Sequence, residues 1–241
     1  MKKLTIAFII SFVVVQISLL CLILWGPSKY INIFEFTSVV TAFTFSLFFI
    51  YKSKSVILTE IALLFTVMAD LFLEIVSPMV QTVAMIFFSL VQIAYFIRLF
   101  LEIKSKKWKI INIAVRVIVV TIVEIAVYLI IKEKMDFLST ISMFYISNLL
   151  LNIILSFVEF KKSPLLAIGL LLFLGCDIFV GFQAAIGTYI EVATDSILYK
   201  IAYSPINVTW LCYLPSQTLL SLSVLSYNKN VFSWKNFKNT Y

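Results

Sequence analysis

Apolar residues run along this chain in blocks of about 20, separated by short polar breaks. Each block is long enough to cross the roughly 30 Å of hydrocarbon in a bilayer as a helix. The pattern predicts about eight spans, at roughly 4–25, 32–51, 56–77, 80–101, 110–131, 137–159, 164–188 and 205–227. The connections are short, which suits antiparallel neighbours in one compact bundle. The longest lies at about 188–204 and carries Glu191, Asp195 and Lys200. The expectation is an all-α polytopic membrane bundle forming a single integral membrane domain over residues 1–241, with a tail at about 228–241.

Composition agrees with that pattern. Hydrophobic residues make up 62% of the chain and charged residues 13%, against about a quarter charged in a soluble domain. Lys2 and Lys3 ahead of an apolar run could be read as a signal peptide. That run reaches about 22 residues and no small-x-small site precedes Trp25, Gly26 and Pro27, so an uncleaved first span is the expectation. The chain has no histidine, which removes the usual zinc sites, Ser-His-Asp triads and imidazole bases together. No metal and no cofactor is expected. The three cysteines, Cys21, Cys176 and Cys212, fall inside apolar spans, an odd count without paired spacing that argues against a disulfide framework.

The net charge of +7 raises nucleic acid as a partner, but its distribution points to a membrane surface instead. If the N-terminus is cytoplasmic, thirteen lysines fall on the inner side and four, Lys29, Lys132, Lys134 and Lys200, on the outer. That bias places both ends inside and suits a bacterial inner membrane. In the tail after Ser226, Phe232, Trp234, Phe237 and Tyr241 stand among lysines and are expected to lie along the anionic inner surface.

A carboxylate near the bilayer centre costs about 2.5–3.5 kcal/mol on insertion scales, so each one calls for a reason. The deep candidates are Asp70 and Glu74 in the third span, Glu124 in the fifth and Asp177 in the seventh. At 1.5 Å per residue, Asp70 and Asp177 both sit about 20 Å from the inner surface, and two aspartates at one depth can face each other across a cavity. Glu124 is equally well a hydrogen-bonded structural group, and solvation near the outer surface explains Glu74 about as well as a site role. Arg98, Arg116 and Glu159 are expected to snorkel to the inner surface, Glu60 to be shallow and Glu35 to sit at the outer start of its span. Asn148 and Asn152 share a face of the sixth span and are expected to join helices. Tyr95 and Tyr213 are read as either cavity groups or simple interhelical hydrogen-bonders.

The third and seventh spans look alike around their aspartates, and each is followed one span later by an aromatic four residues before a glutamine: Phe88 and Gln92, then Tyr213 and Gln217. This suggests a four-plus-four parallel repeat. Gly169, Gly175, Gly181 and Gly187 cluster in the seventh span. Close helix packing is the favoured reading; the alternative is that Gly181, one turn beyond Asp177, opens space beside the carboxylate.

The order Ala69-Asp70-Leu71-Phe72-Leu73, Phe88-xxx-Gln92-xx-Tyr95, Cys176-Asp177 and Tyr213-xxx-Gln217 resembles the YhhN-like membrane proteins. That family reads Gly-Asp, Phe-xxx-His-xx-Tyr, Ser-Asp and Tyr-xxx-Gln in its third, fourth, seventh and eighth spans. Here Ala69 replaces the glycine, Cys176 the serine and Gln92 the histidine. The family includes lysoplasmalogenases, which hydrolyse the vinyl-ether bond of lysoplasmalogens to a fatty aldehyde and a glycerophospho-headgroup. The resemblance implies Asp70 and Asp177 as the acid–base pair. It implies Gln92, Tyr95, Tyr213 and Gln217 as groups lining a lysophospholipid site, with Glu74 and Gly181 beside them.

Vinyl-ether hydrolysis needs a proton delivered to carbon and then water added to the oxocarbenium ion. Two carboxyl groups can divide that work when one is kept protonated and the other ionised. Two other readings stand beside it. One is a lipid-binding or lipid-sensing membrane protein that lost the chemistry with the histidine. The other is a proton-coupled transporter, for which intramembrane carboxyl pairs and the prolines Pro205 and Pro215 are also suitable.

Overall fold

The computed structural model describes residues 2–49, 53–76, 81–186, 190–204 and 207–227. Among these, helix accounts for nearly every residue and no strand forms. In chain order the helices are α1 (Lys2–Trp25), α2 (Ile31–Leu47), α3 (Lys54–Asp70), α4 (Gln81–Glu102), α5 (Lys106–Ile131), α6 (Phe137–Val158), α7 (Pro164–Ala185), α8 (Ile197–Ala202) and α9 (Val208–Leu222). All but α8 are long and apolar enough to cross a membrane, eight in all. The chain is thus a multi-pass membrane protein. Helix α8 was not anticipated: it lies in the longest connection, capped by the Ser196 hydroxyl, which accepts from the Tyr199 amide at 3.2 Å.

Helix starts follow local chemistry. Asp136 forms a capping box at α6: its carboxylate accepts from the Ser139 amide at 2.7 Å, and the Ser139 hydroxyl accepts from the Asp136 amide at 2.9 Å. Pro164 opens α7, where its missing N–H is no loss. Pro215, by contrast, lies within α9, which stays helical across it. Asp70 ends regular α3, and Leu71–Val76 continue as a π-helical turn.

Polar contacts fix the alternation of helix directions. At one end of the bundle, the near end, Ser46 of α2 donates to Glu60 of α3 at 2.7 Å and Ser55 of α3 to Glu102 of α4 at 3.0 Å. At the far end the Asn32 amide of α2 donates to the Glu74 carbonyl at 3.0 Å, and Gln183 of α7 donates to the Ala202 carbonyl at 2.8 Å. The most extensive packing is α7 on α9 and α3 on α4. Gly169 makes the first of these possible: a Cβ there would lie 2.9 Å from the Leu220 side chain. Gly175 likewise faces Cys212, whose Sγ would be 3.3 Å from an added Cβ. At Gly181 nothing lies within 4 Å of a Cβ, so close packing holds at the first two glycines and not there.

Two arginines depart from expectation. Neither snorkels. Arg98 is fully buried and ties four helix ends together, donating to Thr59 at 2.5 Å, Ser223 at 3.0 Å and Ser163 at 3.3 Å. Arg116 is also buried, and it is the only buried residue of α5. It donates to Asn148 at 2.6 Å and Asn152 at 2.9 Å, with its guanidinium 4.0 Å above the Phe96 ring. Desolvating a guanidinium is costly, and neighbouring hydroxyls and amides offset that cost more fully than a stretched side chain would. Glu60 lies towards the near end and is buried there against Ser46. Lys52, Gly187, Pro205 and the aromatic–lysine tail with Lys229, Lys235 and Lys238 lie outside the described residues.

Candidate functional site

The two aspartates each hold a tyrosine. The Tyr213 hydroxyl of α9 donates to Asp70 Oδ2 at 2.6 Å, and the Tyr145 hydroxyl of α6 donates to Asp177 Oδ2, also at 2.6 Å. The Phe173 ring lies between the tyrosines, with centroids 5.4 Å from Tyr213 and 6.3 Å from Tyr145. Phe88 closes the cluster at 5.8 Å from Tyr145 and 5.9 Å from Phe173. Both carboxyl groups stand at one level: Gly175 contacts Cys212, which places Asp177 beside the turn of α9 whose Tyr213 holds Asp70. Asp70 is 2% exposed, whereas Asp177 keeps some accessible surface. The pairing does not follow a four-plus-four relation, which would give Asp177 a partner on α4 equivalent to Tyr213; that position is Phe88, and α6 supplies the hydroxyl instead.

Gln92 is 0% exposed and joins the Asp177 side of the cluster. Its backbone and side-chain oxygens accept from Asn152 at 2.8 and 3.0 Å, and its side chain lies beside the Tyr145 hydroxyl. Through Asn152 the polar groups run on to Arg116, so Gln92, Asn152 and Arg116 are linked by hydrogen bonds, while Tyr145 is bonded to Asp177. The Gln92 Nε2 and both amide atoms of Gln217, one turn from Tyr213, are buried without a protein hydrogen bond. Buried polar atoms of this kind mark places where water or a ligand's polar groups are accepted.

Tyr95 belongs elsewhere. It is buried near Arg98 and Glu60, towards the near end, and its hydroxyl makes no hydrogen bond to protein. Glu124 makes no hydrogen bond to either aspartate, and its Oε2 is buried without a protein hydrogen bond. Gly181 is exposed.

A cavity of about 420 Å³ opens at the far end. Glu35, Glu74, Gln183, Asn207, Thr209 and Trp210 are among its walls. Neither aspartate lines it, but Glu74 stands one turn beyond Asp70, and Glu35 shares the cavity wall with Glu74. The Trp210 ring packs edge-on against Tyr213 at 5.0 Å, connecting the cavity wall to the Asp70 side of the site. Among the described residues no cluster of side chains suits a metal ion.

Tyr145 and Glu35 are the site residues that sequence reasoning missed or placed differently. Tyr145 could have been found from its position three and seven residues before Asn148 and Asn152, on the same helix face. Glu35 lies three residues after Asn32, whose amide holds the Glu74 carbonyl, and it lines the cavity with Glu74. Residues 31–224 match a family model described as the YhhN family. No curated protein and no solved structure matches the chain.

Proposed function

The chain belongs to the YhhN family, and on that premise we propose that it is a lysoplasmalogenase-like hydrolase, cleaving the vinyl-ether bond of a lysophospholipid within the bilayer. One observation carries the reading: two carboxyl groups from different helices sit at one level in the bundle, each fixed by a tyrosine hydroxyl at 2.6 Å. Intramembrane carboxyl groups are costly and mark functional sites by default. No cofactor is required for the reaction.

The chemistry balances with two such groups. One carboxylic acid gives its proton to the β-carbon of the vinyl ether, leaving an oxocarbenium ion whose charge the ionised partner stabilises. That partner then takes a proton from water as the water oxygen bonds to the cationic carbon. The resulting hemiacetal collapses, its hydroxyl proton passing to the glycerol oxygen as the C–O bond breaks. The products are a fatty aldehyde and a glycerophospho-headgroup. Division of acid and base between two carboxyl groups is a recurrent solution, and the roles of Asp70 and Asp177 are interchangeable on this geometry. The unpaired buried amide atoms of Gln92 and Gln217 are the groups offered to the lipid's polar atoms. The lysine bias supports an orientation with both ends cytoplasmic, which suits a bacterial inner membrane.

The test is aldehyde release from a lysoplasmalogen by purified, detergent-solubilised protein. Wild type is expected to turn over, while Asp70→Asn and Asp177→Asn, eluting as wild type does, are expected to lose activity by at least about 10²-fold, the lower range for a general acid or base. Turnover unchanged in either variant would sink the carboxyl-pair mechanism. A second reading, lipid binding without cleavage, is favoured by Gln92: an amide engaged with Asn152 has no proton to titrate. Lipid that copurifies with an inactive wild type would select it.

A further inference from the structure

On the two aspartates alone the acid and the base are interchangeable, and two glutamines on neighbouring helices tell them apart. Helices α4 and α9 run in the same direction and in step. Phe88 and Tyr213 both pack on the Phe173 ring, at 5.9 and 5.4 Å. An equal run of helix further on, Arg98 donates to Ser223 at 3.0 Å. Gln92 and Gln217, each one turn past its aromatic, therefore stand at one level, about 6 Å towards the near end. Asp70 belongs to the aromatic level. Thr59 to Asp70 on α3 and Phe87 to Arg98 on the antiparallel α4 are equal runs, joined by the Arg98–Thr59 bond. Helical side chains lean towards the N-terminus of their own helix. The two glutamines thus lean towards the far end. The aspartates, on α3 and α7, lean towards the near end, where Ser163 at the start of α7 meets Arg98, so the two layers lean towards each other.

The two amides are not equivalent. Both are buried, at 0% and 1% exposed. Gln92 commits its Oε1 to Asn152 at 3.0 Å and leaves its Nε2 without a protein hydrogen bond, whereas Gln217 leaves both Nε2 and Oε1 so. The ether and phosphate oxygens of a lipid accept and do not donate. They answer Gln92 Nε2, but against Gln217 they leave Oε1 unmet. Water both donates and accepts, and it settles where buried polar atoms lack partners. Gln217 also shares α9 with Tyr213, which holds Asp70, and its amide leans back towards that turn. Asp70 is 2% exposed, while Asp177 keeps accessible surface.

We propose that Gln217 holds the water that hydrolysis consumes, so that Asp70 is the base acting on that water and Asp177 the acid that meets the vinyl ether. The assignment rests on the hydrolase reading. Gln217 Nε2 donates to the water oxygen and Oε1 accepts one water proton. That leaves the other proton for Asp70 and a lone pair for the cationic carbon. Asp177 first gives its proton to the β-carbon; Asp70 then takes the water proton as the new C–O bond forms. On collapse of the hemiacetal, Asp177 takes the hydroxyl proton and Asp70 gives its own to the departing glycerol oxygen, which resets both groups. Gln217 exchanges no proton and is a positioning residue.

The experiment follows two quantities with purified protein in D2O: aldehyde released, and deuterium at the vinyl β-carbon of recovered lysoplasmalogen. When water adds at once, the oxocarbenium ion goes forward and recovered substrate stays unlabelled. When the water or its base is missing, the ion returns a β-proton to the carboxylate, and the vinyl ether re-forms carrying solvent deuterium. Gln217→Met is expected to lower kcat about 10²-fold, the scale of a misplaced reactant, and to label the recovered substrate. Asp70→Asn is expected to label without turnover, Asp177→Asn to do neither, and Gln92→Met to lose activity without labelling. Unlabelled substrate from Gln217→Met overturns the water assignment, since a structural role or a bond to the lipid's own hydroxyl gives that result. Equal labelling by wild type or by Gln92→Met overturns it too. Labelling by Asp177→Asn and none by Asp70→Asn overturns the division of roles. Gln217→Asn, with the same amide one carbon back, decides the same point if the Met variant does not elute as wild type does. If wild type releases no aldehyde, the hydrolase reading fails separately, and NMR spectra of protein carrying nitrogen-15-labelled glutamine test the site itself. A cross-peak between the Gln217 amide and water is expected, and its absence overturns the site.

Discussion

Asp70 and Asp177 are each held by a phenol whose own surroundings are aromatic, with Phe173 between the two tyrosines. A hydrogen bond to a charged group contributes about 1.5–3 kcal/mol, which is roughly 10–100-fold in rate at 1.36 kcal/mol per tenfold. Tyr213→Phe and Tyr145→Phe are therefore expected to lower kcat/KM by about that factor each while the protein still elutes as wild type; an effect below about twofold in both would mean that the hydroxyls do not orient the carboxyl groups. The same scale shows what composition leaves open. Asp70 stood out at once, because a deep carboxylate is costly wherever it points. Tyr145 did not, since a tyrosine in an apolar span is common, and only the position of α6 beside α7 turns it into a partner for Asp177.

At the scale of elements, α7 and α9 are pressed together along the glycine face of α7. A Cβ at Gly169 would come within 2.9 Å of the Leu220 side chain and 3.3 Å of the Leu220 backbone nitrogen, which cannot move away without the helix. Gly169→Val is expected to lower thermal stability in detergent, with an overpacking cost of about 1–3 kcal/mol. Gly181→Ala is expected to be tolerated or slightly stabilising, because nothing lies within 4 Å and alanine is the better helix former. Equal melting curves for the two variants would contradict this contrast. Helix α5 shows the opposite extreme. Most of its surface is exposed to what is lipid in a membrane, and Arg116 is its one buried residue. The sequence places that arginine within about 9 Å of a surface at 1.5 Å per residue, and snorkelling follows from depth alone. It is the neighbouring Asn148 and Asn152, on a different helix, that turn it inward.

For the whole molecule, the contacts at the two ends show that α2, α3 and α4 alternate in direction, and the lysine distribution gives an expectation for which end faces the cytoplasm. Lys134 and Lys161 are both exposed, at opposite ends. In intact cells, Lys134→Cys is expected to react with a membrane-impermeant maleimide and Lys161→Cys only after the cells are opened, measured against unmodified protein. The reverse pattern would invert the bundle and put the far-end cavity on the cytoplasmic side. The orientation thus decides which compartment the far-end cavity, with Glu35 and Glu74 in its wall, faces.

Eight apolar blocks, their short connections and the lone carboxylates within them were legible in the chain itself, because crossing a bilayer imposes length and hydrophobicity on each segment independently of its neighbours. The described helices keep all eight of those spans, and the Gly175–Cys212 contact puts Asp177 beside the turn of α9 whose Tyr213 holds Asp70. Which side chains meet is a different matter. Helix rotation and neighbour choice set it, and an all-round apolar helix carries little periodic signal to report its rotation. Only the tertiary structure therefore decided that Tyr145 serves Asp177, that Tyr95 turns away to Arg98, that Arg116 is bound inward and that Glu35 and Glu74 line one cavity. Each of these depends on two helices at once, and the position of a residue along one helix does not contain the position of the other.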